Sequence, residues 1–376
     1  MWVYAPLFSG YLESLGIASD NIVYSDFTTN EMYRAGSSRG SIDPCFPSKI
    51  AIAHFHNLIF GKHARRPLDC LFLPMFDVLC SPLVRTRACN ACPTAAVTPE
   101  TVEAAYTKEI NVFAENNLRY LHPIVNLSDQ RLFEQQMFDC WGPVLGLSAE
   151  ENHRAVQAGY EALATYEREV RSQSRIALDM LEQEHRLGIV MLGRPYHHDP
   201  GLNHGILDEF RKLGYPVFSQ STLPLDEDIL DRLFGDEVRA GIITHPLDIS
   251  DVWKTATAAS SNLKLWAAKF TARHPNLVAV ELSSFKCGHD APVYSVVERI
   301  IEQSGTPYFC FKDLDENKPI ASIKLRVETI DYFLKSFHET LQLGKESVPG
   351  KPVNHISLPP NVGINSASRV PITDAE

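Results

Sequence analysis

No stretch of this chain approaches the roughly 18 consecutive apolar residues that a membrane helix needs, and the start, Met1-Trp2-Val3-Tyr4-Ala5-Pro6-Leu7-Phe8, lacks the basic flank of a signal peptide. A cytoplasmic protein without a membrane partner is expected. Clustered Lys and Arg are also missing, and the formal net charge is −11. Phosphate backbones are bound by basic faces, so a general nucleic-acid binder is excluded as a class. Eight cysteines in 376 residues are too few for a disulfide scaffold, which leaves core packing, metal binding or catalysis for each. There is no Walker A sequence, no G-x-G-x-x-G and no H-E-x-x-H.

What is present is 44% hydrophobic and 22% charged residues, the balance of a globular protein long enough for two cores. Three cysteines stand on loops that lead into helical patterns. Cys45 lies in Asp43-Pro44-Cys45-Phe46-Pro47-Ser48-Lys49, before the apolar run 50–60. Cys92 lies in Asn90-Ala91-Cys92-Pro93-Thr94, before a helical 99–115. Cys287 follows the strand-like Leu277-Val278-Ala279-Val280-Glu281-Leu282 in Ser283-Ser284-Phe285-Lys286-Cys287-Gly288-His289-Asp290. Loops between a strand and a helix collect at the carboxyl edge of an open α/β sheet, where helix N-termini favour negative charge. Thiolates suit such a place, as iron-sulfur ligands or as redox groups.

The other cysteines rank lower. Cys70 and Cys310 sit inside apolar strand-like runs and Cys140 follows a helical stretch, so all three read as packing. Cys80 and Cys89 flank the Cys92 loop and stay ambiguous. Cys89-x-x-Cys92 is a lone pair without a second one, a weak signal for metal.

Periodicity divides the chain into a first α/β lobe (1–148), a helical connector (149–185), a second α/β lobe (186–344) and a disordered tail (345–376). In the first lobe, strands are expected at 21–24 and 70–74. In the second, strands at 186–193, 215–218, 277–282 and 307–311 alternate with helices at 206–213, 253–273, 293–304 and 323–343, the order of a parallel sheet with crossovers.

Between the first strand and helix of that lobe lies Gly193-Arg194-Pro195-Tyr196-His197-His198-Asp199-Pro200-Gly201-Leu202-Asn203-His204-Gly205. Arg194 offers a bidentate contact to a carboxylate or phosphate, with Asn203 beside it as a substrate-binding candidate. His197, His198 and His204 are candidates for proton relay or metal binding. The plainer reading is a long loop shaped by prolines and capped by Asn203. A zinc hydrolase would use these histidines with Asp199. His54 and His56, two apart on one helix, face opposite ways, one toward the Cys45 loop.

Four motifs in order, at Cys45, Cys92, Gly193–Gly205 and Cys287, resemble the dehydratase-like region of the acyl-CoA dehydratase activase proteins, relatives of the 2-hydroxyacyl-CoA dehydratases and the double-cubane cluster proteins. The resemblance spans about Ala5 to Leu343 and implies two Rossmann-like α/β lobes with mainly parallel sheets, joined by a long helix, with a cluster site between them. It implies that Cys45, Cys92 and Cys287 hold an iron-sulfur cluster, a 4Fe-4S or a double cubane, with Cys89 as a further ligand or neighbour. It further implies an electron-accepting role in an ATP-driven low-potential reductase or 2-hydroxyacyl-CoA dehydratase-type system, as a homo- or heterodimer. The family's ATPase module has no counterpart here, and Trp2 to Ser9 reads as the interior of a lobe. An ATP-dependent activator is therefore expected as a separate chain or an upstream part. The rival expectation is a non-catalytic regulatory or scaffold domain of such a fusion.

Overall fold

A computed structural model describes residues 2–39, 45–284, 286–314 and 320–347. Asp43, Pro44 and Phe285 of the motifs lie outside the described residues, as does the expected tail beyond Ser347.

The second half forms the larger sheet. Strands β5 (Gly188–Leu192), β6 (Val217–Ser219), β7 (Leu277–Leu282) and β8 (Tyr308–Phe311) follow four others, β1 (Cys70–Phe72), β2 (Met75–Val78), β3 (Arg119–Leu121) and β4 (Ile124–Asn126). The larger sheet runs β6-β5-β7-β8, every pairing parallel. All five residues of β5 and all six of β7 are buried, the mark of strands covered on both faces. Side chains alternate between those faces. Val190, Leu192, Leu277 and Ala279 join one core, while Ile189, Met191, Val278, Val280 and Leu282 join the other.

Helices number twelve among the described residues. Those of the first half are α1 (Ala5–Ser14), α2 (Asn30–Ser37), α3 (Phe46–His56), α4 (Pro93–Thr107), α5 (Val112–Glu115) and α6 (Gln130–Leu145). Then come α7 (Ala149–Gln183), α8 (Ile206–Lys212), α9 (Glu227–Arg239), α10 (Ala259–Arg273), α11 (Tyr294–Glu302) and α12 (Ile320–Ser347). α9, α10 and α11 cover one face of the larger sheet, and α8 and α12 the other. None is long and apolar enough, among the described residues, to cross a membrane.

The smaller sheet is a two-stranded parallel ribbon, β1 with β3 and β2 with β4. Pro74 and Pro123, which have no N–H to give, mark its two interruptions, and backbone bonds from Leu73 to Leu121 (2.9 Å) and from Met75 to Pro123 (2.8 Å) carry it across them. Residues 21–24, expected as a strand, form none: Asn21 ends a 3-10 turn, Ser19–Asn21, and the next three residues are irregular. The helix expected at 99–115 begins instead at Pro93, whose fixed φ suits a first helical turn, and breaks before α5.

α7 starts with a reciprocal cap, in which Ser148 N–H donates to Glu151 Oε2 (2.8 Å) and Glu151 N–H to Ser148 Oγ (3.2 Å). Its first half gives Ala155, Val156 and Leu163 to the first lobe's core, and its end gives Leu178 and Leu181 to the second's. Against α1 it packs through glycine: a Cβ on Gly159 would stand 2.6 Å from Leu7 O. Gly→Ala inside a helix ordinarily stabilises by about 1 kcal/mol, but here the clash sets the sign. Gly159→Ala should cost about 1–3 kcal/mol in a urea titration; an unchanged or raised stability would refute this close packing.

A strap of the first lobe is sewn onto the second. Val84 N–H donates to Leu247 O (3.1 Å), Arg87 N–H to Ala256 O (2.8 Å) and Asn90 N–H to Thr257 O (2.8 Å), while Ala259 N–H returns a bond to Asn90 O (3.1 Å). These bonds hold Asn90, two residues before Cys92, at the start of α10.

Candidate functional site

The chain passes from β5 to β6 on one side and reaches β7 on the other, so the sheet changes direction between β5 and β7, where ligands settle in open α/β sheets. Two loops leave that edge, 193–205 after β5 and 283–290 after β7. They meet through Arg194, 5% exposed, whose Nη1 lies 3.6 Å from Asp290 Oδ1 and 3.3 Å from Ser261 Oγ.

Cys45 and Cys92 occupy the N-cap positions of α3 and α4, each with a proline in the first turn, and neither thiol caps its helix. Cys287 stands ahead of α11, where its carbonyl accepts from Asp290 N–H (3.1 Å) and Ala291 N–H (3.0 Å). Burial and then the Asp290 carboxylate push its thiol above the ordinary value, against the opposing pull of Arg194 and of the nearby backbone amides of His289 and Asp290. The three cysteines share one neighbourhood. Tyr196, held above the usual phenol range chiefly by burial, feels the charges of Cys287 and Cys45. Burial opposes charge on Arg194, and Asp290, Cys287 and then Cys92 outweigh it, so the guanidinium stays cationic.

The Sγ of Cys89 is 3.5 Å from Thr86 Oγ1, and together with Cys80 it acts on Tyr4. Cys70 in β1, Cys140 in α6 and Cys310 in β8 are half-buried, and burial raises all three thiols, that of Cys140 to about 12.

The histidine loop does not gather. Arg194 N–H donates to His197 Nδ1 (3.0 Å), an approach that Gly193 permits, since a Cβ there would lie 2.9 Å from the same nitrogen. His198 Nε2 lies 3.2 Å from Ser219 Oγ, and His204 takes a left-handed turn at φ 53°. Asn203 spends its amide on the loop, donating to His197 O (3.0 Å) and accepting from Gly205 N–H (2.8 Å). Asp199 accepts from Thr28 N–H (3.1 Å) and Gly201 N–H (2.8 Å). His54 hydrogen-bonds Ser25 Oγ (2.8 Å) and Thr28 Oγ1 (3.1 Å), while His56 lies against Phe60. Among the described residues only Glu100, Glu103 and His122 bring three ligand atoms within 4.8 Å of one another, so His197, His198, His204 and Asp199 form no single-ion site.

Burial drives the His197 imidazole down to about 3 from an ordinary 6.5. Below pH 6.5 the unfolded chain takes up a proton that the folded His197 refuses, so stability falls as pH drops toward 3, by about 1 kcal/mol per pH unit from this group. His274, lowered mainly by burial to about 4, adds to the slope. His197→Asn should flatten stability against pH between 6 and 4 in urea titrations; coincident slopes would show that His197 is protonated in the fold.

The sequence reading passed over a buried charged group behind the loops. Lys264 Nζ lies 2.9 Å from Glu281 Oε1 and 3.0 Å from Asp290 Oδ1, and all three residues are fully buried. Ser283 Oγ donates to Asp290 Oδ2 (2.6 Å) and lies 2.7 Å from Tyr294 OH, while Tyr308 OH donates to Glu281. A glutamate inside the apolar run of β7 was the available signal: it shares a face with Leu277 and Ala279, which turns it toward α10 and Lys264.

Residues 1–223 match the family described as the CoA enzyme activase uncharacterised domain (DUF2229). No curated protein matches the chain. The matched stretch holds Cys45, Cys92 and the 193–205 loop, and Cys287 lies beyond it.

Proposed function

The chain belongs to the CoA enzyme activase uncharacterised domain family, and from that premise we propose that it binds an iron-sulfur cluster at Cys45, Cys92 and Cys287. It would serve as the electron-accepting component of an ATP-driven low-potential reductase or a 2-hydroxyacyl-CoA dehydratase-type system. The observation that carries the reading is the shared neighbourhood of the three thiols around Arg194 and Tyr196. The donor set fits such a group: three cysteines from three separate loops, two of them at N-terminal ends of helices, with a buried cation beside them. They do not form a tight single-ion trio, and a cubane spreads its thiolates wider than one ion does.

A cluster held there would supply one-electron transfer at low potential. The protein's own part is electrostatic. Arg194 offsets negative charge near Cys287 and Cys92, and Asp290 holds that guanidinium in place. The backbone amides of His289 and Asp290 beside Cys287 favour negative charge there, and such groups would tune how easily a cluster is reduced. Half-buried Tyr196 packs beside Phe46, the residue after Cys45. An ATP-dependent activator, on another polypeptide or another part of a longer one, would deliver the electron.

The test is iron and acid-labile sulfide per chain on protein prepared without oxygen. About four of each supports one cubane, and about eight iron a double cluster. Neither element after reconstitution would overturn the proposal and leave the scaffold reading.

A further inference from the structure

A second group of ligating side chains lies outside the three cysteine loops. Glu100 and Glu103 stand three residues apart on α4, which puts both carboxylates on one helix face, and His122 directly follows β3. Three ligand atoms, one from each residue, lie within 4.8 Å of one another. His122 Nδ1 is 3.7 Å from Glu100 Oε1, and its Nε2 is 3.4 Å from Glu103 Oε2.

Two observations give this group a preference for a cation. The first is His122 Nδ1, which is shut off from solvent and has no hydrogen-bond partner. An imidazole nitrogen in that position forfeits the bond that water would give it, and a metal ion on its lone pair restores one. The ring is held where it is. It stacks on Tyr120 at 4.7 Å, Tyr120 stacks on Phe113 at 4.8 Å, and the Tyr120 hydroxyl donates to Pro99 O (2.9 Å) in the helix that carries both glutamates. The second observation is charge. Among the described residues His122 is the one ion-pair partner of Glu100 and of Glu103, and neither has a Lys or Arg. Their negative charge reaches inward: burial first, then Glu103 and Glu100, push the Tyr120 phenol up.

We propose that Glu100, Glu103 and His122 bind a divalent first-row transition cation, through one imidazole nitrogen and an oxygen of each carboxylate. The imidazole sets the preference, because magnesium and calcium take oxygen ligands and transition ions accept nitrogen as well. Three protein ligands leave the remaining positions of the ion to water. The ion would tie α4, the helix whose N-cap is Cys92, to the end of β3. The site uses none of the eight cysteines and stands whether or not three of them hold a cluster.

Manganese is the probe, because carboxylate and imidazole hold it while soft thiolates select other metals. The full chain, dialysed free of loose metal and kept at about pH 8, above the range in which free imidazole titrates, is titrated with manganese chloride while the electron paramagnetic resonance of the free ion is read. One ion per chain should bind with a dissociation constant below about 100 μM. His122→Phe keeps the ring stack and Glu103→Gln alters a side chain 43% exposed, so both variants should fold. Each should weaken binding at least about tenfold, since even the neighbours of a metal ligand are worth that much. About a tenfold excess of magnesium should leave most of the manganese bound. No binding at about 1 mM manganese, an unchanged affinity in His122→Phe, or displacement by that excess of magnesium would each overturn the proposal.

Discussion

Lys264→Met should lose about 3–5 kcal/mol in a urea titration, the cost of leaving buried charge without its partner. Lys264 Nζ lies between Glu281 Oε1 at 2.9 Å and Asp290 Oδ1 at 3.0 Å, with no solvent exposure on any of the three. Two carboxylates are balanced there by Lys264 and by Arg194, 3.6 Å from Asp290. Removing the ammonium leaves two buried carboxylates to one guanidinium. The Asp290 carboxyl shows the dependence directly: burial alone would raise it, and Lys264 first and Arg194 second hold it below the usual carboxylate range. Lys264→Met with Glu281→Met restores the balance of charge, leaves Asp290 to Arg194 and the Tyr308 hydroxyl without its acceptor, and should be more stable than Lys264→Met alone. A single variant within about 1 kcal/mol of the native chain, or a double variant worse than the single, would show that the group is not coupled.

That network bears on the loops as much as on stability. Asp290 ends the Cys287 loop, Arg194 begins the loop after β5, and Ser261 Oγ, which lies 3.3 Å from Arg194 Nη1, also donates to His289 O at 2.7 Å. One set of buried charges therefore fixes both loops against α10. An apolar replacement of the set would fill the volume and free the loops, so the charges hold loop position rather than add stability.

How much of this was legible follows from where each signal lies. β7 was readable to its last residue, because a strand covered on both faces is a continuous apolar run bounded by polar turns. α7 was readable because its charges and apolar positions keep a helical period from the Ser148 cap onward. β2, β3 and β4 were not, since each spans three or four residues and prolines interrupt the ribbon. Ile22 and Val23 looked like a strand but have no partner to pair with among the described residues. For the site, Arg194 and the three cysteine loops were visible as motifs. The function of Lys264 was not, because its pairing with Glu281 and Asp290 exists only after α10 has packed on β7. Asn203 and His197 looked available for a ligand, and the fold spends them on the loop's own backbone.

Cysteine replacement is the second large effect expected. If the three thiols are the ligands, Cys45→Ser, Cys92→Ser and Cys287→Ser should each lose most of the iron found in the native chain prepared without oxygen. Each comes from a different loop, so no neighbouring cysteine on the same loop can stand in, except at Cys92, where Cys89 is three residues away. The assignment counts three thiols, so Cys89→Ser, whose sulfur lies 3.5 Å from Thr86 Oγ1, should keep its iron. Cys70→Ser and Cys310→Ser, in the half-buried strands β1 and β8, should also keep it and lose about 1–3 kcal/mol of stability, the cost of burying a hydroxyl. Iron content and stability therefore separate the two groups: the first loses metal at its own loop, the second loses packing. Equal iron loss across Cys45, Cys92, Cys287, Cys70 and Cys310 would sink the ligand assignment, because it would mean that iron retention follows the stability of the fold and not the identity of the thiol.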